Sequence, residues 1–118
     1  MGVIVSDIDG TVLRSGIYPM QRTIDFLKSE DKKNNIVLIT GRQESERAKT
    51  EIALKKAGVP YDSLKMNGFG DSREDQLKSK KKNISSLLGN VSLVIENDAE
   101  AIKLYKSMGF KTMSPEDL

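Results

Sequence analysis

The chain contains no cysteine, no histidine and no tryptophan. Without cysteine there is no disulfide, no thiolate nucleophile and no thiolate metal site. Without histidine, Ser-His and Cys-His catalysis are excluded, together with the commonest zinc sites. No apolar run approaches the roughly 20 residues that a membrane helix needs, and no secretory signal is visible, which predicts a soluble, cytoplasmic protein with no membrane partner. Neither sign of charge dominates, with 19 basic residues against 17 acidic and a formal net charge of +2. That balance neither calls for nucleic acid nor forbids it. At 118 residues and 37% hydrophobic, the chain is long enough for one lean core, and residues 1–118 read as a single domain. Any catalysis therefore falls to carboxylates, hydroxyls, lysine or arginine, helped by a hard metal ion.

The apolar runs set the architecture. Val3 to Val5 is short and β-branched, as are "IVLIT" at 36–40 and "VSLVI" at 91–95. Each reads as a strand buried on both faces, the habit of a parallel sheet. Between them lie helical patterns. Pro19 is placed in a first helical turn, followed by Met20, Ile24 and Leu27. Gln43 to Ala57 is expected to be a helix with Ala48, Ile52 and the stem of Lys55 inward, capped by Gly58 before Pro60. Tyr61 to Met66 is a weaker strand and "NGFGDSRED" a loop. A helix from Leu77 carries Ile84, Leu87 and Leu88 on one face. Asp98 is expected to cap a helix from Ala99 to Met108, and "FKTM" to close the chain as a last strand. Strands alternating with helices predict a three-layer, doubly wound parallel α/β sheet.

Such sheets bind ligands at the carboxyl ends of their strands. The first strand runs into Asp7-Ile8-Asp9-Gly10-Thr11, the second into Thr40-Gly41-Arg42 and the third into Glu96-Asn97-Asp98. Two acidic clusters meeting at one rim repel unless a proton or cation intervenes, and an octahedral Mg²⁺ with oxygen ligands answers that need. The metal candidates are Asp7, Asp9, Glu96, Asn97 and Asp98.

"DIDGTV", then "LITGR", a lysine-bearing helix and "LVIENDAEAI" resemble, in this order, the haloacid dehalogenase superfamily of phosphohydrolases. The resemblance implies a Rossmann-like fold, a Mg²⁺ cofactor and hydrolysis of a phosphorylated substrate through an aspartyl-phosphate. It makes Asp7 the nucleophile and Asp9 the acid that protonates the leaving oxygen and later activates water. Thr40 and a lysine then hold the phosphoryl oxygens. In the "KSKKK" run, Lys80 or Lys81 is favoured by its nearness to the apolar face, with Lys78 next and Lys82 also a candidate. Asn97 stands where the family's usual second acid would be, which implies weaker metal binding. Only about 25 residues separate Thr11 from the second strand, so no cap domain fits and the site is expected to be open. Uncapped members of the family act on macromolecules or recruit another chain, or a second copy, to close the site.

A narrower likeness joins "LITGRQESERAKTEIALKKAGVPYDSL" and "GFGDSREDQLKSKKKNI" to phage-type polynucleotide kinase-phosphatases. It makes Gly41 and Arg42 phosphate binders and a nucleic-acid 3′-phosphate end, or a nucleotide, the substrate. No Gly-rich loop ending in Lys-Ser/Thr occurs, so no kinase is expected. Blander readings stand beside each motif: solvated loop aspartates, a strand-end threonine, a helix cap at Asp98, a salt-bridging Arg42 and a solvated lysine face. The alternative functions are a catalytically silent binding module, favoured by Asn97, and a receiver-like phospho-acceptor domain. The second is disfavoured because Asp-x-Asp lies on one strand.

Overall fold

A computed structural model describes residues 2–87 and 89–118. In chain order the elements are β1 (Gly2–Ser6), β2 (Leu13–Arg14), β3 (Tyr18–Pro19), α1 (Gln21–Glu30), β4 (Asn34–Gln43) and a 3₁₀ turn (Glu44–Glu46). They continue with α2 (Arg47–Ala57), β5 (Ser63–Asn67), α3 (Arg73–Ser85), β6 (Val91–Ile95), α4 (Ala99–Ser107), β7 (Thr112–Met113) and a 3₁₀ turn (Pro115–Asp117). Five strands form one parallel sheet in the order β5-β4-β1-β6-β7. From β1 the chain winds outward through β4 and β5, then returns to the other side for β6 and β7. The strand order therefore reverses beside β1, where a ligand crevice is expected.

Side-chain alternation divides the core into two layers. Ile4, Ile36, Leu38, Leu93 and Ile95 face one side, with Ile24 and Leu27 of α1 and Leu54 of α2. Val3, Val5, Val37, Ile39 and Val94 face the other, with Ile84 of α3 and Ala101 and Tyr105 of α4. This is the three-layer, doubly wound α/β sheet expected from the sequence. Between Thr11 and β4 the described residues form only the β2–β3 hairpin and α1, so no cap domain is inserted there.

Several local expectations are corrected. Pro19 lies in the hairpin, paired with Leu13, and α1 begins two residues later without a side-chain cap. β4 continues past Gly41 to Gln43, so α2 starts only at Arg47. The buried face of α2 is Thr50 and Leu54, while Ala48 is exposed and Ile52 is 64% exposed. The helical period is right but its phase is reversed, because a lone isoleucine is a weak marker on a helix this polar. α3 begins at Arg73, inside the expected loop, because the Ser72 side chain accepts the Asp75 N–H and supplies an N-cap. Gly58 has φ +73 at the end of α2, the left-handed cap expected of it. Leu88, expected on the inner face of α3, lies outside the described residues.

Candidate active site

The loop after β1 is a tight turn. The Ile8 carbonyl accepts the N–H groups of Thr11, Val12 and Leu13, while the Ile8 side chain is fully buried. Asp7 and Asp9 therefore flank a buried anchor. Gly10 has φ +79, and a Cβ there would sit 2.2 Å from Asn97 Nδ2. Both the backbone conformation and the close approach require glycine at this position.

Asp7 is 6% exposed. Its Oδ1 lies 3.4 Å from Lys80 Nζ, and Lys80 also donates to Glu96 Oε2 at 2.9 Å. Glu96 is itself 1% exposed, and its Oε1 accepts the N–H groups of Asn97 and Asp98 at 3.2 and 3.1 Å. Two buried carboxylates thus share one ammonium, which sits nearer Glu96. Burial pushes the Asp7 carboxyl well above its ordinary value; Lys80 pulls it back and Glu96 raises it further. Burial alone would lower Lys80, but the charges of Asp7 and Glu96 outweigh it and raise the ammonium above its ordinary value.

Asp9 is half exposed. Arg42 grips it with two parallel bonds, Nε to Oδ2 at 2.9 Å and Nη2 to Oδ1 at 2.7 Å. Arg42 also donates from Nη1 to the Thr50 hydroxyl at 3.1 Å and from Nη2 to the Gly16 carbonyl at 3.3 Å. The bond to Asp9 raises the Arg42 guanidinium above its ordinary value. Thr40 is buried, and its Oγ1 accepts the Arg42 N–H at 3.1 Å, which leaves its proton available to a ligand. Asp7, Asp9, Thr40, Gly41, Arg42, Lys80 and Asn97 all line one cleft of about 460 Å³ at the carboxyl ends of β1, β4 and β6.

The haloacid dehalogenase-like hydrolase family matches residues 4–86, a span that holds the Asp7–Thr11 loop, Thr40 and Lys80. The chain belongs to that family. Two solved structures share the fold of this chain. A chain in the structure of the Pnkp1/Rnl/Hen1 RNA repair complex superposes with a TM-score of 0.82 at 19% identity, over 96% of this chain and 42% of that one. A second, in a structure of the Pnkp1/Rnl/Hen1 complex, gives 0.84 at 20% identity, over 96% and 45%. The chain thus spans less than half the length of these chains. No curated protein matched it by sequence.

The remaining candidate residues are placed as follows. Lys78, Lys81 and Lys82 are exposed, and Lys78 and Lys82 lie over the Phe69 ring at 4.8 and 5.3 Å from its centroid. Asp98 caps α4, accepting the Ala101 N–H at 2.9 Å, and pairs with Arg73. Burial would raise its carboxyl, but these partners hold it below its ordinary value. The sequence reading passed over three residues. The Thr11 hydroxyl lies 3.4 Å from Asp7 Oδ2 and 3.3 Å from Asn97 Oδ1. Arg73, at the cleft wall, was hidden in the expected loop. Asn67 donates to the Gly41 and Gly70 carbonyls and braces the loop after β4. The Ser72 cap was the sequence signal that would have exposed Arg73; for Asn67 there was none, since its bonds are tertiary.

The donor set can be tested against Mg²⁺. Thr11 has one proton for two oxygens, Asp7 Oδ2 and Asn97 Oδ1, so it serves only one of them at a time. The buried charges leave a surplus of one carboxylate over Lys80. Both features fit a hard cation held by Asp7 and Asn97. Glu96 does not offer a free oxygen, and Asp98 is engaged by Arg73 and its own helix. Among the described residues no three of His, Cys, Asp and Glu group as a cation site.

Proposed function

We propose that the chain is a Mg²⁺-dependent phosphomonoesterase that works through an aspartyl-phosphate on Asp7. The observation that carries this reading is one buried, cation-deficient carboxylate facing an open polar cleft beside a buried lysine. In the first step an Asp7 oxygen bonds to phosphorus, the ester P–O bond breaks, and Asp9 gives its proton to the departing oxygen. In the second step Asp9 takes a proton from water, the water oxygen bonds to phosphorus, and the Asp7–phosphorus bond breaks to release phosphate.

Lys80 orients Asp7 and opposes the burial that favours its protonated form. Thr40 donates its free proton to a phosphoryl oxygen. A phosphoryl dianion entering the cleft competes with Asp9 for the Arg42 fork, which frees the Asp9 carboxyl to face the leaving oxygen. Asp7 and Asn97, with the Asp9 main chain, would hold the Mg²⁺, which when bound supplies positive charge to the developing transition state. Glu96 acts one layer behind, fixing Lys80 and the loop after β6. Lys81 takes no part in this reading.

The substrate class proposed is a nucleic-acid 3′-phosphate end. Three things support it: the open cleft, which encloses a small metabolite poorly, the sequence likeness to polynucleotide kinase-phosphatases, and a fold shared with chains of an RNA repair complex. An uncapped site is also suited to closure by a partner chain or a second copy. Asn97 favours one competing reading, a silent module that binds phosphate without turnover.

Hydrolysis of an aryl phosphate and of an oligonucleotide ending in a 3′-phosphate, with Mg²⁺ and with chelator, separates the two. Turnover is expected with Mg²⁺ alone, and Asp7→Asn should reduce it on the order of a thousandfold or more while the protein stays folded. Turnover that survives in Asp7→Asn removes the nucleophile from this scheme. Phosphate binding without any turnover across divalent metals establishes the silent module.

A further inference from the structure

The outward side of α2 carries a face that the core does not explain. Lys49, Ile52 and Lys56 follow at helical spacing and line a groove of about 570 Å³, with the edge of the core-packed Ala53 beside them. Across it stands the tip of the β2–β3 hairpin, Ser15 to Ile17. Ser15 and Gly16 both have positive φ, 52° and 80°, and the turn they make presents Ile17. Ile17 and Ile52 are 62% and 64% exposed, two large apolar side chains in one groove with a lysine on either side of Ile52.

This groove adjoins the cleft: Asp9, Arg42 and Glu46 line both. The hairpin tip is tied to that junction by the bond from Arg42 to the Gly16 carbonyl. A molecule whose terminal phosphate sits by Asp7 therefore has the groove as a path for the rest of its chain. Seven residues separate Lys49 from Lys56, about 10 Å along the helix axis at about 1.5 Å per residue. That spacing suits successive anions of a polymer better than one compact anion. Of the two acids in the groove, Asp9 is already matched by Arg42, which leaves Glu46 against two lysines.

We propose that the groove is the leaving-group subsite. It takes the nucleotides preceding the 3′-phosphate of a single-stranded nucleic acid, with Ile17 and Ile52 against sugar and base and Lys49 and Lys56 on internucleotide phosphates. The proposal rests on reading the adjoining cleft as a phosphomonoesterase site.

The test uses two paired variants of the full chain, Lys49→Gln with Lys56→Gln and Ile17→Ser with Ile52→Ser. All four side chains are exposed and stand outside the catalytic set. On an oligonucleotide with a 3′-phosphate, the lysine pair should lower kcat/KM about tenfold. It should also flatten the dependence of log affinity on log salt by about 0.7 per lysine. The isoleucine pair should lower kcat/KM severalfold, and both pairs should leave aryl phosphate hydrolysis unchanged. Equal losses on both substrates, or no loss on either, overturn the groove assignment. So does a wild-type protein that prefers the oligonucleotide no more than the aryl phosphate. If the wild type hydrolyses neither, the phosphomonoesterase reading fails, and fluorescence anisotropy with the same oligonucleotide decides the groove alone. Binding weakened in the lysine pair upholds it; unchanged or absent binding overturns it.

Discussion

Two cation–aspartate contacts face the same cleft and differ in almost everything but charge. Lys80, Asp7 and Glu96 are each at least nine-tenths buried. Arg42 and Asp9 meet with better geometry, two short parallel bonds, but Asp9 is 51% exposed. In the buried trio water does not screen the charges, so removing the lysine leaves two carboxylates uncompensated. At the mouth, water screens the pair and competes with it, so the contact is exchangeable. Burial, and not the quality of the hydrogen bonds, separates a structural charge network from an exchangeable one.

The largest effect expected on breaking this contrast is at Lys80. Lys80→Met leaves Asp7 and Glu96 buried without a cation, and chemical denaturation should show a loss of about 3–5 kcal/mol at neutral pH. The loss should shrink at low pH as the carboxyls take up protons. An unfolding midpoint that does not move would mean that Lys80 is not paired in solution.

Asp7→Asn should act in the opposite direction on stability. The native Asp7 carboxyl is held above its ordinary value of 3.8 by burial and by Glu96, against the pull of Lys80. As pH rises above that value the unfolded chain loses the proton first, so the native state loses stability until the folded carboxyl also ionises. The variant has no such proton to lose. In chelator at neutral pH it should be more stable by about 1 kcal/mol, near 4 °C in Tm, with a flatter dependence on pH. A destabilised variant with an unchanged pH profile would contradict the charge surplus assigned to this site.

At the mouth, Arg42→Ala should cost no more than about 1 kcal/mol, with the cost falling further at high salt. Its activity should fall far more than its stability. A stability loss matching that of Lys80→Met would erase the distinction between the two networks.

The smallest effect sharpens the buried side. The Tyr105 hydroxyl is buried without a hydrogen-bond partner among the described residues, and burial, then Glu96 and Asp7, push its pKa up. Tyr105→Phe removes an unsatisfied polar group, so the unfolding free energy should stay within about 0.5 kcal/mol of wild type or rise. A clear loss of stability would reveal a partner for that hydroxyl, such as a buried water.

The strands and their order of appearance were legible because buried parallel strands are short continuous apolar runs, and Val91–Ile95 matches its run residue for residue. The acidic loop was legible for the reverse reason: two aspartates after such a run have no structural excuse. The phase of α2 was not legible, since its inner face is Thr50, Leu54 and two partly buried alanines, and its one isoleucine serves the outer groove. Nor was the choice among the lysines at 78–82, because helical spacing alone put both Lys80 and Lys81 near the apolar face.

Hydrophobic periodicity and the two aspartates, local properties of the chain, were enough to determine a layered α/β fold with an acidic rim at the strand ends. What only the tertiary structure decided is which charges share a dry environment. That depends on α3 laying Lys80, and no neighbouring lysine, between Asp7 and Glu96 from two different strands. The physical reason is that the strength of a charge–charge contact is set by the surrounding dielectric, which packing creates and residue order does not spell out.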